Sequence, residues 1–368
     1  LKKEKAKNKV KKKKILSLSK IIKLFCVFVA IILLAAAFFL YLVIQINSSP
    51  PLPEYSFTAE ALRVEDNGNL IIEVRNGETA FSVGRRLEEA GIIRDSRLWY
   101  ALFRLDSGQL KTGTYMIELP ATQTEIRSVL VGGEQLLFRV TIPEGYSLRQ
   151  MAAILESEGI CTAEDFLASS SSQYILNAYN IPGASMEGYL FPDTYLFPLS
   201  YPSDRVVQAM ADNFFRRLRT IDPSYESLTP TELNNLVILA SIVEREYRAE
   251  DEAALMAGVF FNRLRIGMML QSCATVVYVI TEVLGLPHPE RLFYRDLDIV
   301  NPYNTYMNAG LPPGPISAPG LTALRGVFEP ASSNYLFFRL LDPASGRHYF
   351  SRTLDEHIQA GDLLVKGW

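Results

Sequence analysis

An almost purely apolar run from Leu236 to Val243 ends abruptly in a carboxylate, Glu244. Drawn as a helix, the run is apolar on every face, so it should be buried. A carboxyl group at the rim of a buried helix loses water, and desolvation favours its neutral form. A neutral carboxylic acid at neutral pH is what general-acid catalysis requires. Glu246 is the nearest competitor. It falls about 200° around the helix from Glu244, so the two cannot enter one cleft as an acid and nucleophile pair, and Glu246 reads as a structural partner. The plainer alternative for Glu244 is a helix-end glutamate paired with Arg245 or Arg248.

The elements that must hold this carboxylate are helical. Ser203 to Leu218, Thr231 to Tyr247 and Glu252 to Leu264 are predicted helices. On the last of these Leu255, Val259 and Asn262 share one face, and Gly267 ends it. The Pro- and Gly-rich stretch from Asn301 to Pro319 cannot be regular helix and is expected as an ordered loop. Tyr335–Phe338 and His348–Phe350 are predicted closing strands, and Ser169 to Ser172 a polar break.

Four ordered blocks carry a resemblance. They are Leu239-Ala240-Ser241-Ile242-Val243-Glu244-Arg245-Glu246 running on to Gln271, Glu187-Gly188-Tyr189-Leu190-Phe191-Pro192-Asp193-Thr194-Tyr195, Tyr303-Asn304-Thr305-Tyr306 with Gly310-Leu311-Pro312-Pro313-Gly314-Pro315-Ile316, and His348-Tyr349-Phe350-Ser351 with Glu356-His357. From about Ile71 to the end the chain resembles the YceG-like endolytic murein transglycosylases of the bacterial cell wall. The resemblance implies cleavage of the β-1,4 bond between N-acetylmuramic acid and N-acetylglucosamine, leaving 1,6-anhydro ends and terminating or releasing nascent glycan strands. It implies a lyase that uses Glu244 as its one acid and base and takes no cofactor or metal. A water-using muramidase would need a second carboxylate, for which Glu187 and Asp193 are the candidates. A different class of protein, a non-catalytic glycan-binding scaffold of the cell-wall synthesis machinery, is the alternative.

Asn262 and Gln271 suit hydrogen bonds to sugar acetamido or hydroxyl groups, and equally suit the satisfaction of loop backbone. Tyr303, Asn304 and Tyr306 suit a glycan groove, or the pinning of the proline loop. Glu187 is counted with them as a cleft residue. One departure stands out: many family members carry Asp-Pro where this chain has Cys273-Ala274.

Up to Lys23 there are eleven lysines and one acid, Glu4. Leu24 to Ile44 then carries no charge, long enough to cross a bilayer, which takes about 20 apolar residues. Lysines before the span favour a cytoplasmic N-terminus. The run is longer than the apolar part of a signal peptide, so a retained single-pass anchor is expected, with the rest outside the cell's inner membrane. Of 37 basic and 40 acidic residues in all, those after Lys23 leave a net charge near −13. That argues against nucleic acid as a partner. The expected partners are peptidoglycan strands, the membrane and, by resemblance, peptidoglycan synthases. Cys161 and Cys273 read as free thiols, and His288, His348 and His357 lack metal-ligand spacing.

An internal repeat precedes the helices. Ile72 to Ile92 and Val140 to Ile160 align without gaps: Gly77 with Gly145, Thr79 with Ser147, Leu87 with Leu155, Gly91 with Gly159. Each copy reads as strand, Gly turn, capped helix and terminal Gly. Between them Thr114–Leu119 reads as a strand and Thr122–Leu130 as a short helix. The copies resemble LysM-like glycan-binding modules. The expected fold class is α+β. Its parts are a basic tail (1–23), a transmembrane helix (24–45), a Pro/Ser-rich linker (46–68), a first small α+β subdomain (69–138), a LysM-like subdomain (139–200) and a mixed α+β catalytic domain (201–368).

Overall fold

A computed structural model describes residues 18–50, 57–59, 62–64, 68–105 and 108–366. Most of the lysine tail, and positions 51–56 of the linker, lie outside these residues. The chain divides into two compact units, residues 1–135 and 136–368.

The first unit begins with α1 (Leu18–Asn47), a 30-residue helix. Its Ile22–Asn47 portion is long and apolar enough to cross a membrane. That supports a membrane-anchoring role. The helix extends beyond the uncharged run at both ends, because flanking Lys20, Lys23 and Gln45 are good helix formers. Strands β1 (Phe57–Ala59), β2 (Leu62–Val64), β3 (Asn69–Val74) and β4 (Gly113–Glu118) follow as an antiparallel sheet in that order. Leu70, Ile72 and Val74 alternate onto the buried face of β3. Helices α2 (Ala80–Glu89), α3 (Ser96–Leu105) and α4 (Gln123–Gly132) complete the core through Leu87, Trp99 and Ile126. Gly84 on α2 is what lets Trp99 approach. A Cβ there would lie 2.3 Å from the indole, whose Nε1 donates to the Ala80 carbonyl at 2.7 Å.

The second unit holds β5 (Phe138–Thr141), α5 (Leu148–Ser157), α6 (Ala163–Ser170), α7 (Gln173–Ala178) and β6 (Thr194–Phe197). It continues with α8 (Ser203–Ile221), α9 (Pro230–Glu246), α10 (Ala253–Arg265), α11 (Cys273–Tyr278), α12 (Tyr294–Leu297) and α13 (Leu321–Phe328), then β7 (Phe337–Asp342), β8 (Arg347–Ser351) and α14 (Leu354–Lys366). β5 pairs with β6 and β7 with β8, both antiparallel. One hydrophobic core runs from Val140 and Leu155 through Phe214 and Ile242 to Leu324. The expected polar break is shorter than Ser169–Ser172. Ser169 and Ser170 finish α6, Ser170 fully buried, and Ser172 takes the N-cap position of α7 without a side-chain bond.

The repeat appears in both units as the same local geometry. Gly77 and Gly145 have φ of 83° and 74°, and Gly91 and Gly159 have 70° and 68°. Thr79 and Ser147 each close a reciprocal capping box. The amides of Ile92 and Ile160 both donate back to the leucine carbonyl five residues earlier, Leu87 and Leu155. Left-handed glycines after each strand and each helix fix where the chain turns.

Candidate active site

Helix α9 starts with a capping box between Thr229 and Glu232 and with Pro230 in its first turn. Val237 to Val243 are buried, so the helix can end only where the chain reaches solvent. The Tyr247 amide closes it on the Val243 carbonyl at 3.1 Å. Glu244 therefore sits in the last turn, partly buried. Ser241 lies one turn back on the same face.

That face receives the proline loop. The Ile316 amide donates to Ser241 Oγ at 3.0 Å, and Ser317 Oγ donates to the Ser241 carbonyl at 3.0 Å. Three residues on, the Gly320 amide donates to Glu244 Oε2 at 2.9 Å. Gly320 is the N-cap of α13. The Tyr247 hydroxyl lies 3.4 Å from Oε1. Burial pushes the Glu244 carboxyl up to about 7. The Gly320 amide opposes this, the charge of Glu144 adds to it, and Tyr247 and Arg245 oppose it more weakly. At neutral pH the group is poised between acid and base, as a proton shuttle must be.

The turn between β5 and α5 closes the site from the other side. The Gly145 amide donates to the Ala318 carbonyl at 2.9 Å, and the Ala318 amide returns a bond to the Tyr146 carbonyl at 2.8 Å. Arg245 Nη1 donates to the Gly145 carbonyl at 3.1 Å, so the guanidinium is drawn onto the turn. Glu144 at the tip of that turn lies against Gly320. Reading the sequence missed Glu144. The available signal was in the repeat: the first copy has Asn76 before its turn glycine, and only the second has a carboxylate.

Glu246 points elsewhere. It accepts hydrogen bonds from the Ser272 hydroxyl and the Ala274 amide. Burial raises its pKa, and Ser272 and Arg263 oppose the rise. Glu187 accepts the Leu148 amide at 3.2 Å, at the start of α5. Burial pushes its carboxyl up to about 8, against that amide and with the charge of Glu282. Asp193 is held below the usual range: burial works against its ionisation, but Arg217, Asn213 and the Thr194 amide outweigh it. The Arg217 contact is 2.8 Å.

Asn262 Nδ2 donates to the Ser333 and Tyr335 carbonyls at 2.9 and 3.0 Å, and its Oδ1 accepts from Arg265. Asn304 is fully buried. Its Nδ2 donates to the Leu297 and Ile299 carbonyls, both at 2.8 Å, and its Oδ1 takes the Tyr306 amide. Both amides are thus occupied by loop backbone. The Tyr303 ring packs 4.9 Å from that of Tyr278. The Tyr306 hydroxyl lies 3.1 Å from Cys273 Sγ. Gln271 has φ 50° and an exposed side chain, and its amide donates to the Thr305 carbonyl at 3.1 Å. Of the six residues read as sugar contacts, it keeps the freest polar end. Cys161 and Cys273 are unbonded.

Residues 72–362 match the model of the YceG-like family. An endolytic murein transglycosylase of Bacillus subtilis (strain 168) is 26% identical over 326 residues, covering 83% of this chain and 88% of that protein. One of Streptococcus pneumoniae serotype 2 (strain D39) is 28% identical over 320 residues, 78% of this chain but 56% of its own length. The chain thus spans little more than half of the pneumococcal relative. The crystal structure of a yceG-like protein from Listeria monocytogenes superposes with a TM-score of 0.53 at 27% identity, covering 80% of this chain and 99% of that one.

Proposed function

Since the chain belongs to the YceG-like family, we propose that it is a membrane-anchored lytic transglycosylase that cuts peptidoglycan strands internally. The observation that carries this reading is Glu244, a carboxyl pushed up to about 7 by burial and held at 2.9 Å by the Gly320 amide. The protonated carboxyl gives its proton to the leaving O4 as the C1–O4 bond breaks. The resulting carboxylate takes the proton of the muramic acid's own 6-hydroxyl as O6 bonds to C1. One group is acid and then base, no water is consumed, and a 1,6-anhydro end results. The Gly320 amide suits the alternation, because its bond to the carboxylate steadies the charged form between the two proton transfers. The Lys-rich start and apolar α1 support a single-pass anchor, and in this reading the active unit lies outside the inner membrane, within reach of peptidoglycan synthases.

Beside the first copy of the repeat only, the fold assembles an aromatic pair the sequence did not mark. Phe81 on α2 and Tyr100 on α3 are both exposed and meet edge to face at 5.9 Å. Such a pair presents the apolar rings on which sugars stack, and we assign it to holding glycan.

The full chain in detergent, incubated with purified sacculi, should release fragments whose new ends are anhydro-muramic acid by mass spectrometry. Reducing ends would show hydrolysis instead, and intact glycan bound without cleavage would show a scaffold. The reaction needs the protonated enzyme at its first step. So kcat/KM should be flat below about pH 7 and fall about tenfold per pH unit above it. A profile still rising between pH 7 and 9 would contradict an acid of this pKa.

A further inference from the structure

Glu144 has no task in the mechanism just described, yet its place is specific. A Cβ built on Gly320 would lie 2.0 Å from Glu144 Oε1 and 2.2 Å from its carboxyl carbon. The carboxylate fills the space where any other residue at 320 would have a side chain. The same Gly320 gives its amide to Glu244, and the next amide, that of Leu321, bonds Glu144. Two carboxylates from elements a hundred residues apart therefore meet at one residue.

The turn that carries Glu144 also engages the neighbouring cation. Arg245, adjacent to Glu244, is bound by the Gly145 carbonyl, and the left-handed Gly145 lies 3.4 Å from Arg245 Cδ at its Cβ position. The groups facing Glu244 are then Glu144, Arg245 and Tyr247, and Glu250 faces Glu144. A like charge held near a buried carboxyl favours the proton on it.

We propose that Glu144 is a positioning residue of this active site, whose negative charge, seated in the space left by Gly320, holds the proton on Glu244. The two carboxylates divide the work by environment, as acid pairs in enzymes do. The more exposed Glu144 carries the charge and the more buried Glu244 carries the proton. The inference rests on the proposed chemistry for its purpose but not for its test.

The full chain in detergent, with its glutamate carboxyls isotope-labelled, is titrated by NMR, and Glu244→Gln identifies the Glu244 signal. In Glu144→Gln the Glu244 midpoint should move down by about one pH unit, a tenfold change in proton affinity. Gly320→Ala should do the same, because its φ of −78° suits alanine while the new methyl evicts Glu144. Glu144→Asp, which keeps the charge, should restore most of the midpoint. With substrate, the upper limb of kcat/KM should move with the titration, leaving Glu144→Gln about tenfold slower than wild type at pH 8. An unchanged midpoint in folded Glu144→Gln would overturn the proposal whatever the activity. Absence of glycan cleavage with a shifted midpoint would instead overturn the transglycosylase reading and leave this one standing.

Discussion

Glu244→Gln is expected to lower glycan cleavage by about 10²–10⁴-fold, the usual contribution of a positioned general acid or base. The amide can still accept the Gly320 N–H through its oxygen, so the loop should stay in place and substrate affinity should change little. The loss should appear in kcat rather than KM. The same substitution should stabilise the protein at alkaline pH. Glu244 titrates near 4.5 in an unfolded chain and near 7 in the folded one. Between those values the folded state binds more protons than the unfolded state, so stability falls as pH rises through that window. Above it the ionised, partly buried carboxylate costs about 3 kcal/mol. Glutamine has no proton to lose. Wild type and variant should therefore unfold at similar urea concentrations at pH 4, and the variant should be the more resistant at pH 8. A catalytic group that destabilises its own fold is expected where activity needs a strained environment. An inactive variant with no gain at pH 8 would mean that Glu244 is not buried as the site requires. A fully active variant would remove it from the chemistry.

What could be read from the sequence was local. The apolar run before Glu244, the two capped copies of the repeat and the boundaries of α8, α9 and α10 follow from periodicity, caps and glycines within one turn of each feature. The separation of Glu244 from Glu246 around the helix also follows from spacing alone, and the two side chains do reach different partners. Contacts that join distant segments were not legible. Glu144 precedes Glu244 by a hundred residues, and only the fold brings its turn against Gly320. Asn262 and Asn304 have the right chemistry for sugars, but residue type does not say whether loop carbonyls have already taken their hydrogens. The strands β1 and β2 are three residues each, too short to leave a period-two pattern. Likewise Phe81 and Tyr100, nineteen positions apart, become a pair only when α2 and α3 pack.

Gly188→Ala is the substitution that should most damage the scaffold, and its cause is one of those distant contacts. Gly188 lies in the left-handed region at φ 81°. Its Cβ position is 2.5 Å from Pro315 Cβ, 2.7 Å from Pro315 Cγ and 3.1 Å from Val237 Cγ1. A methyl there meets backbone strain of about 1–2 kcal/mol and overpacking of about 1–3 kcal/mol. Neither neighbour can yield. Pro315 is a ring held beside Ile316, whose amide bonds Ser241, and Val237 is buried in α9. The expected loss is about 2–5 kcal/mol, seen as a lower urea midpoint with an unchanged slope. Gly310→Ala supplies the comparison. It lies in the proline loop that carries Pro315, at φ 89°, with nothing within 4 Å of its Cβ position, so it should suffer the strain alone. If the two variants lose the same stability, contact with Pro315 is not what fixes Gly188. If Gly188→Ala loses more, the displaced loop should also carry Gly320 away from Glu244. Activity should then fall in the protein that remains folded, and the Glu244 titration should lose the restraint of the Gly320 amide and move to higher pH. That coupling ties the packing of one glycine on a proline to the proton affinity of a carboxyl on α9 that the same loop binds through Gly320.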